Sequence, residues 1–300
     1  MKYFLIKIFL FFFFILLIMV VLVFGTYFIA TSVSFEISED KDIIIIGDSH
    51  TECAIDDNIF LRAVNISQSG NSYLYSYVKL RKFIDANPQV NNVLLSFHGG
   101  SITKSRDEWI IGNKCILSHV PNHFSLFHRE EVLLLINKPG FISAILKSPL
   151  KSIKAVLNLL TKKKTTYKDL IIGGYLKLDR DKLEEDNERH KNSGETQVEK
   201  TLFEYSQYEL NYLLKIVELC HAKNVELILF NSPTYNSEKF GNKFALMDFY
   251  NKYFSEIKYL DFSDFDIPEY GYGDIGHLNY KGAEIFSRYL GDNYELIFGK

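Results

Sequence analysis

Apolar residues fall along this chain in three rhythms. From Ile8 to Ala30 they run without a charged residue, long enough to cross a bilayer core of about 30 Å as one helix. From Ile43 onward short apolar runs alternate with stretches of helical period. Ile43–Ile46, Ala63–Ile66, Asn92–Phe97, Val225–Phe230 and Lys258–Phe262 read as strands. Helices are expected over Glu52–Arg62, Tyr73–Ala86 (ending before Pro88), Thr201 to about Asn224, Phe240–Phe254 and Tyr280 to about Leu296. Strand and helix alternating at this spacing predict a parallel sheet with helices on both faces.

Between residues 98 and 200 the alternation breaks. Val132 to Lys168 contains eight lysines and no acid, and Pro139 and Pro149 divide it. Phe141, Ile142, Ile145 and Leu146, then Ile153, Val156, Leu157 and Leu160, recur at helical spacing with the lysines mostly off those faces. Two readings stand: a helix pair packed on the domain with solvated lysines, or a helix pair lying on the membrane with lysines toward anionic headgroups. Residues 179–200 are rich in both charges and poor in apolar side chains, which predicts a solvated linker. The expected organisation is an anchor over 1–35 and one domain over 36–300, with an inserted segment at about 98–200.

Charge orients the anchor. Lys2 and Lys7 precede the apolar run, while Glu36, Glu39 and Asp40 follow it. The positive-inside tendency puts the N-terminus in the cytoplasm and the rest in the periplasm or outside the cell. The rival is a cleaved signal peptide, whose apolar region is about 7–15 residues; Phe28-Ile29-Ala30 is also a poor small-x-small cleavage site. A net charge of −3 argues against a nucleic-acid partner. Three cysteines are too few for a disulfide framework, and Cys53 is expected to pack against the sheet.

The chemistry sits at two distant points. Gly47-Asp48-Ser49-His50 comes directly off the first strand, which delivers the Ser49 hydroxyl to the sheet edge where ligands bind in open α/β folds. Far downstream, Asp274-Ile275-Gly276-His277 supplies an acid and an imidazole three residues apart. Ser49 needs a base, His277 can be that base, and Asp274 can hold its tautomer. Alone, Asp274 and His277 read as a turn former and a helix-capping neighbour; the Gly-Asp-Ser at the other end of the chain makes the catalytic reading stronger. Asp48 is expected to fix the nucleophile loop by hydrogen bonding. His119, His123 and His128 lack a matching Glu or Cys pattern, so they read as solvated loop residues and no metal site is expected.

These residues resemble the SGNH (GDSL-like) hydrolase superfamily. Gly47–His50 is similar to its first block and Asp274–His277 to its last. Gly70, in Ser69-Gly70-Asn71, stands where the second block places an oxyanion-stabilising glycine amide. The likeness covers about 42–97 and 225–296. The third block departs: where the family carries Gly-x-Asn-Asp, this chain reads Ser96-Phe97-His98-Gly99-Gly100-Ser101. His98, or Asn71 from the neighbouring loop, is the candidate substitute for the absent asparagine; the alternative reading of His98 is a plain loop residue.

The resemblance implies a three-layer, flavodoxin-like α/β fold behind one transmembrane helix. It implies serine-ester chemistry without a cofactor, with Ser49, His277 and Asp274 catalytic and the Ser49 and Gly70 amides as oxyanion donors. Gly-Asp-Ser-His, Phe230-Asn231-Ser232-Pro233-Thr234 and His277-Leu278-Asn279 followed by Gly282-Ala283 look like membrane-anchored members associated with cell-envelope polymers. Among those are the D-alanyl-transfer protein of teichoic acid synthesis and the alginate acetyltransferase-like proteins. The implied substrate is an acylated or lipid-linked glycan, and the implied partners are envelope polymer-modification proteins. The rival class is a weak or inactive module for glycan binding or polymer assembly, which the missing third-block asparagine favours.

Overall fold

The computed structural model describes residues 1–161, 164–192, 204–235 and 243–299. Lys162 and Lys163, the end of the expected linker (193–200), and the start of the expected helix at 240–242 lie outside them. In chain order come α1 (Lys2–Thr31), β1 (Ile43–Ile46), α2 (Ser49–Ala54), β2 (Ala63–Asn65), α3 (Tyr73–Ala86) and β3 (Asn92–Ser96). Six helices follow without a strand: α4 (Gly99–Ile102), α5 (Asp107–Ile111), α6 (Asn113–His123), α7 (Arg129–Leu135), α8 (Phe141–Lys151) and α9 (Ile153–Leu160). Then α10 (Leu183–Asn192), α11 (Gln207–Ala222), β4 (Glu226–Asn231), α12 (Lys243–Tyr253), β5 (Lys258–Asp261), α13 (Tyr280–Asp292) and α14 (Tyr294–Phe298) complete it.

Two compact units result. One joins residues 37–110 to 173–300; the other joins 1–36 to 111–172. Residues 98–110 and 173–192 therefore belong with the sheet, and the anchor belongs with 111–172.

The sheet unit is a five-stranded parallel sheet in the order β2-β1-β3-β4-β5. Its central strands are runs of Ile, Leu and Val because both faces are covered. Ile43, Ile45, Leu94, Ile228 and Phe230 share a core with Phe286 and Leu290 of α13. By strand alternation, Ile44, Ile46, Val93 and Leu95 point to the opposite face, where α3 packs on α11 and α11 on β4.

Three expectations are corrected. The helix expected over 52–62 stops at Ala54, because Asp56 folds the next residues into a turn, accepting from the Asn58 N–H at 2.9 Å. Among the described side chains, residues 179–192 are mostly solvated as expected, but they are not a bare linker: Leu183 opens α10 and is buried in the core. His119 and His123 are not loop histidines either. Both are buried on α6, and His123 Nδ1 lies 2.8 Å from the His119 carbonyl oxygen. Cys53 is buried, as its place beside the sheet requires.

In the other unit, α1 is long and apolar enough to cross a membrane. Residues 2–22 of it are exposed, Val23 is buried, and α8 and α9 pack on it. On α8 the buried side is Phe141, Ala144 and Ser148, so Ile142, Leu146 and Leu150 are left exposed. On α9 only Ala155 is buried, while Ile153, Leu157, Leu159 and Leu160 are exposed.

Candidate active site

The sheet order reverses at β1: β2 lies on one side and β3 on the other. Chain leaving neighbouring strands in opposite directions opens a crevice at their C-terminal ends, and Ser49 stands there. Gly47 is required by a close approach. A Cβ on it would come within 2.4 Å of the Ser96 Cβ at the end of β3 and 2.7 Å of the Thr51 Oγ1. Asp48 then caps α2, accepting from the His50 N–H at 3.2 Å, and Ser49 becomes the first helical residue.

The structure brings Ser49, His277 and Asp274 together. His277 Nε2 lies 2.8 Å from Ser49 Oγ, and His277 Nδ1 lies 2.8 Å from Asp274 Oδ1. With Nδ1–H donating to the carboxylate, the Nε2 lone pair faces the serine hydroxyl. The Gly276 N–H donates to the same Asp274 oxygen at 2.9 Å, and the Gly273 N–H closes the loop on the His277 carbonyl at 2.9 Å. Burial pushes the His277 pKa down to about 4, with the neighbouring His50 adding to the effect. The imidazole is therefore neutral near pH 7 and able to accept a proton.

Sequence reasoning missed Arg180, whose guanidinium pairs with Asp274 Oδ2. An extended segment from 173 to 182 carries it there. The Gly174 N–H donates to the Ser67 carbonyl, Leu176 N–H to Glu52, and Lys182 N–H to Gly273, each at 2.9 Å. The helix that carries Ser49, the Gly70 loop and the Asp274–His277 loop are thus tied by one stretch of chain. Leu183, directly after it in a polar stretch, was the available signal that this segment docks.

A second carboxylate–imidazole pair adjoins the first. Asp48 Oδ1 lies 3.1 Å from His50 Nδ1, and the His50 ring stacks on His277 with centroids 4.8 Å apart. Asp48 Oδ2 meets His98 Nε2 at 2.9 Å and accepts from Arg106 Nη2 at 2.8 Å. Burial opposes the Asp48 charge, but His98 and then His50 outweigh it and hold the carboxyl well below the usual range. Arg106, also missed, is buried, donates from Nε to the Gly100 carbonyl at 2.9 Å, and lies over the Trp109 ring. Asp48, His50 and His98 place one ligand atom each within 4.8 Å of the others. Those donors are already committed: His98 gives its second nitrogen to the Ser101 N–H, and Arg106 holds Asp48 Oδ2. A cation there would have to displace a guanidinium.

Gly70 sits in the second loop with a φ of +70°, a conformation glycine adopts at no steric cost. The loop is held from below by Glu52, which accepts from the Ser69 N–H at 2.6 Å and from the Ser69 hydroxyl. Gln68 N–H donates to the Gly47 carbonyl at 3.1 Å, joining this loop to the turn before Ser49. The two expected substitutes for the third-block asparagine are placed differently. With both ring nitrogens engaged by Asp48 and Ser101, His98 has no N–H left for an oxyanion. Asn71 is buried and directs Nδ2 to Ser76 Oγ at 2.8 Å, toward α3. The geometry therefore reassigns both residues to holding loops.

A family model that carries no functional description matches residues 178–298, a stretch that includes Arg180, Asp274 and His277 but not Ser49. No curated protein matches the chain.

Proposed function

We propose that this chain is a membrane-tethered serine acylesterase or O-acyltransferase of SGNH type. One observation carries the reading: the continuous Ser49–His277–Asp274 hydrogen-bond chain, assembled from residues 228 apart in sequence at the crevice of a parallel sheet. The strand order 2-1-3-4-5 is that of flavodoxin-like doubly wound sheets and supports the SGNH assignment.

Ser49 Oγ attacks the carbonyl carbon of an acyl ester while its proton passes to His277 Nε2. The resulting oxyanion is met by the amide N–H groups of Ser49 and Gly70. Collapse breaks the bond to the leaving alkoxide, which takes the proton from His277 and leaves acyl-Ser49. Water or a sugar hydroxyl then gives its proton to His277, attacks the acyl carbon and frees Ser49, with the proton returned to Oγ. Asp274 orients the imidazole and stabilises its charged form during each transfer. Arg180 fixes Asp274, and the Asp48 network of His50, His98 and Arg106 fixes the nucleophile turn.

The acceptor and the ester belong to a cell-envelope glycan, a reading that rests on the resemblance of the Gly-Asp-Ser-His and His277-Leu278-Asn279 stretches to anchored envelope enzymes. In this reading the N-terminus is cytoplasmic, the catalytic unit lies in the periplasm or outside the cell, and polymer-modification proteins are its partners. A second reading is favoured by the 98–101 loop, which has no asparagine and a fully engaged His98. It is a weak or inactive SGNH-fold module for glycan binding or polymer assembly. A fluorophosphonate probe separates the two. Labelling of the native chain that disappears in Ser49→Ala supports the enzyme; an unlabelled native chain supports the module.

A further inference from the structure

A groove of about 610 Å³ runs along the C-terminal end of α1, entirely within the anchor unit. Its volume falls in the range of small-molecule pockets, about 300–1,000 Å³. Val23, Phe24 and Tyr27 of α1 form one wall, and Phe124, Val132 and Ile145 face them. Phe127, with His128 and Arg129, both exposed, completes the lining. An apolar slot with a cation at its mouth matches a hydrocarbon chain bearing an anionic head.

The level of this slot in a bilayer follows from the length of α1. The uncharged stretch begins at Ile8, after Lys7. Roughly 20 residues at about 1.5 Å each cross a core of about 30 Å, so a span counted from Ile8 ends close to Tyr27. Val23, Phe24 and Tyr27 therefore lie where acyl chains meet headgroups in the leaflet at the C-terminal end of α1.

The rest of the unit agrees with that depth. Ile142, Leu146 and Leu150 on α8, and Ile153, Leu157 and Leu160 on α9, are exposed although both helices pack on α1. Lys138, Lys147 and Lys151 have no acidic partner among the described residues, and no acid occurs from Val132 to Lys168. Lys154 and Lys164 are paired, with Asp169 and Glu36. Apolar side chains exposed beside unpaired lysines are the composition of a surface lying in an anionic interface.

We propose that this groove binds one acyl chain of an anionic glycerophospholipid, with Arg129 at the phosphate, and that α8 and α9 lie in the same leaflet. The proposal rests on α1 crossing a bilayer and is independent of the chemistry at Ser49.

The test uses the full-length chain in nanodiscs containing phosphatidylglycerol with a diazirine on its acyl chain. Photolysis should label the groove residues Phe124, Phe127 and Val132 as well as the exposed face of residues 3–22. Val132→Trp, which fills the groove, should cut the first labelling at least fivefold and leave the second unchanged. Arg129→Gln should weaken groove labelling by phosphatidylglycerol severalfold but not by the matching phosphatidylcholine probe. Labelling confined to residues 3–22 would overturn the proposal, as would groove labelling unaffected by either substitution. A co-purified polypeptide crosslinked at Phe124 or Val132 in place of lipid would also overturn it. Should Val132→Trp lose its cooperative melting transition, the Arg129→Gln comparison between the two lipids decides alone.

Discussion

The two units differ in what they bury and what they leave exposed. The sheet unit buries Asp48, Glu52, Lys79, Arg106 and Glu209, and the anchor unit exposes Ile142, Leu146, Leu150, Ile153, Leu157 and Leu160. A buried ionisable group is tolerated only with partners, and the sheet unit supplies them: Arg106 for Asp48, Ser69 for Glu52, the Ile66 carbonyl for Lys79 and the Tyr73 N–H for Glu209. An exposed apolar row is tolerated where the surroundings are not water. If the proposed membrane placement of α8 and α9 holds, side chains of one chain record two solvents.

The strongest way to break this contrast is at the reacting groups themselves. Ser49→Ala and His277→Ala should each lower turnover of a small acetyl ester by about 10⁴-fold or more, with an unchanged melting temperature. Asp274→Asn should lose less than either. Equal turnover in native and Ser49→Ala protein would end the catalytic reading.

Next in size is the buried pair. Arg106→Met leaves Asp48 without its guanidinium and should cost about 3–5 kcal/mol in a denaturant titration in mild detergent. Leu150→Ser, on the exposed row of α8, should stay within about 0.5 kcal/mol in the same titration. Similar losses at both sites would mean that Leu150 is covered by protein.

A smaller effect concerns pH. Burial raises the Glu209 pKa to about 8 from an ordinary value of 4.5. Between those values the folded chain keeps a proton that the unfolded chain has lost, so stability falls as pH rises through that window and levels off above it. Glu209→Gln removes this slope, and should gain on the native protein by up to on the order of 1 kcal/mol per pH unit between about 5 and 8. Lys79, lowered by burial to about 7 from 10.5, contributes stability that rises with pH above 7 in both proteins, so it cancels from the difference. A difference that is flat with pH would show that Glu209 titrates normally.

The smallest expected shift is in the acid limb of kcat/KM, which should follow His277 near pH 4. Arg180 and His50 both hold that pKa down, so Arg180→Gln and His50→Gln should each move the limb upward, by about a unit or less. A limb that moves downward would mean that neither group acts on the imidazole.

What could be read from the sequence was local. Ile43–Ile46 followed by Gly-Asp-Ser, and Asp-x-x-His within four residues, carry their geometry in their spacing, and all five strands follow from short β-branched or apolar runs. Arg106, Arg180 and Glu52 escaped because their partners lie 58, 94 and 17 residues away. Nothing beside them in the chain marks which distant group each one meets. His98 and Asn71 were expected at an oxyanion for the converse reason: the loop was evident, but Asp48, Ser101 and Ser76 decide where those side chains turn. On α8 the period was legible, but not that Phe141 and Ala144 would be the inward side and Ile142 and Leu146 the outward one.

The parallel pairing of Asn92 with Glu226 joins β3 to β4 across about 130 intervening residues, against about 50 between β1 and β3. Closure entropy grows only with the logarithm of that length, so the longer excursion costs roughly 1 kcal/mol more than the shorter one. Order of assembly is affected more than stability. During synthesis β1, β2 and β3 are available to pair, and Ser49 is in place, long before His277 emerges. Until β4 docks, β3 presents an unpaired edge rich in Leu and Val, and the chain is then most open to association with its own copies. Mutations that slow docking of β4 should therefore lower yield through aggregation before they change the folded protein.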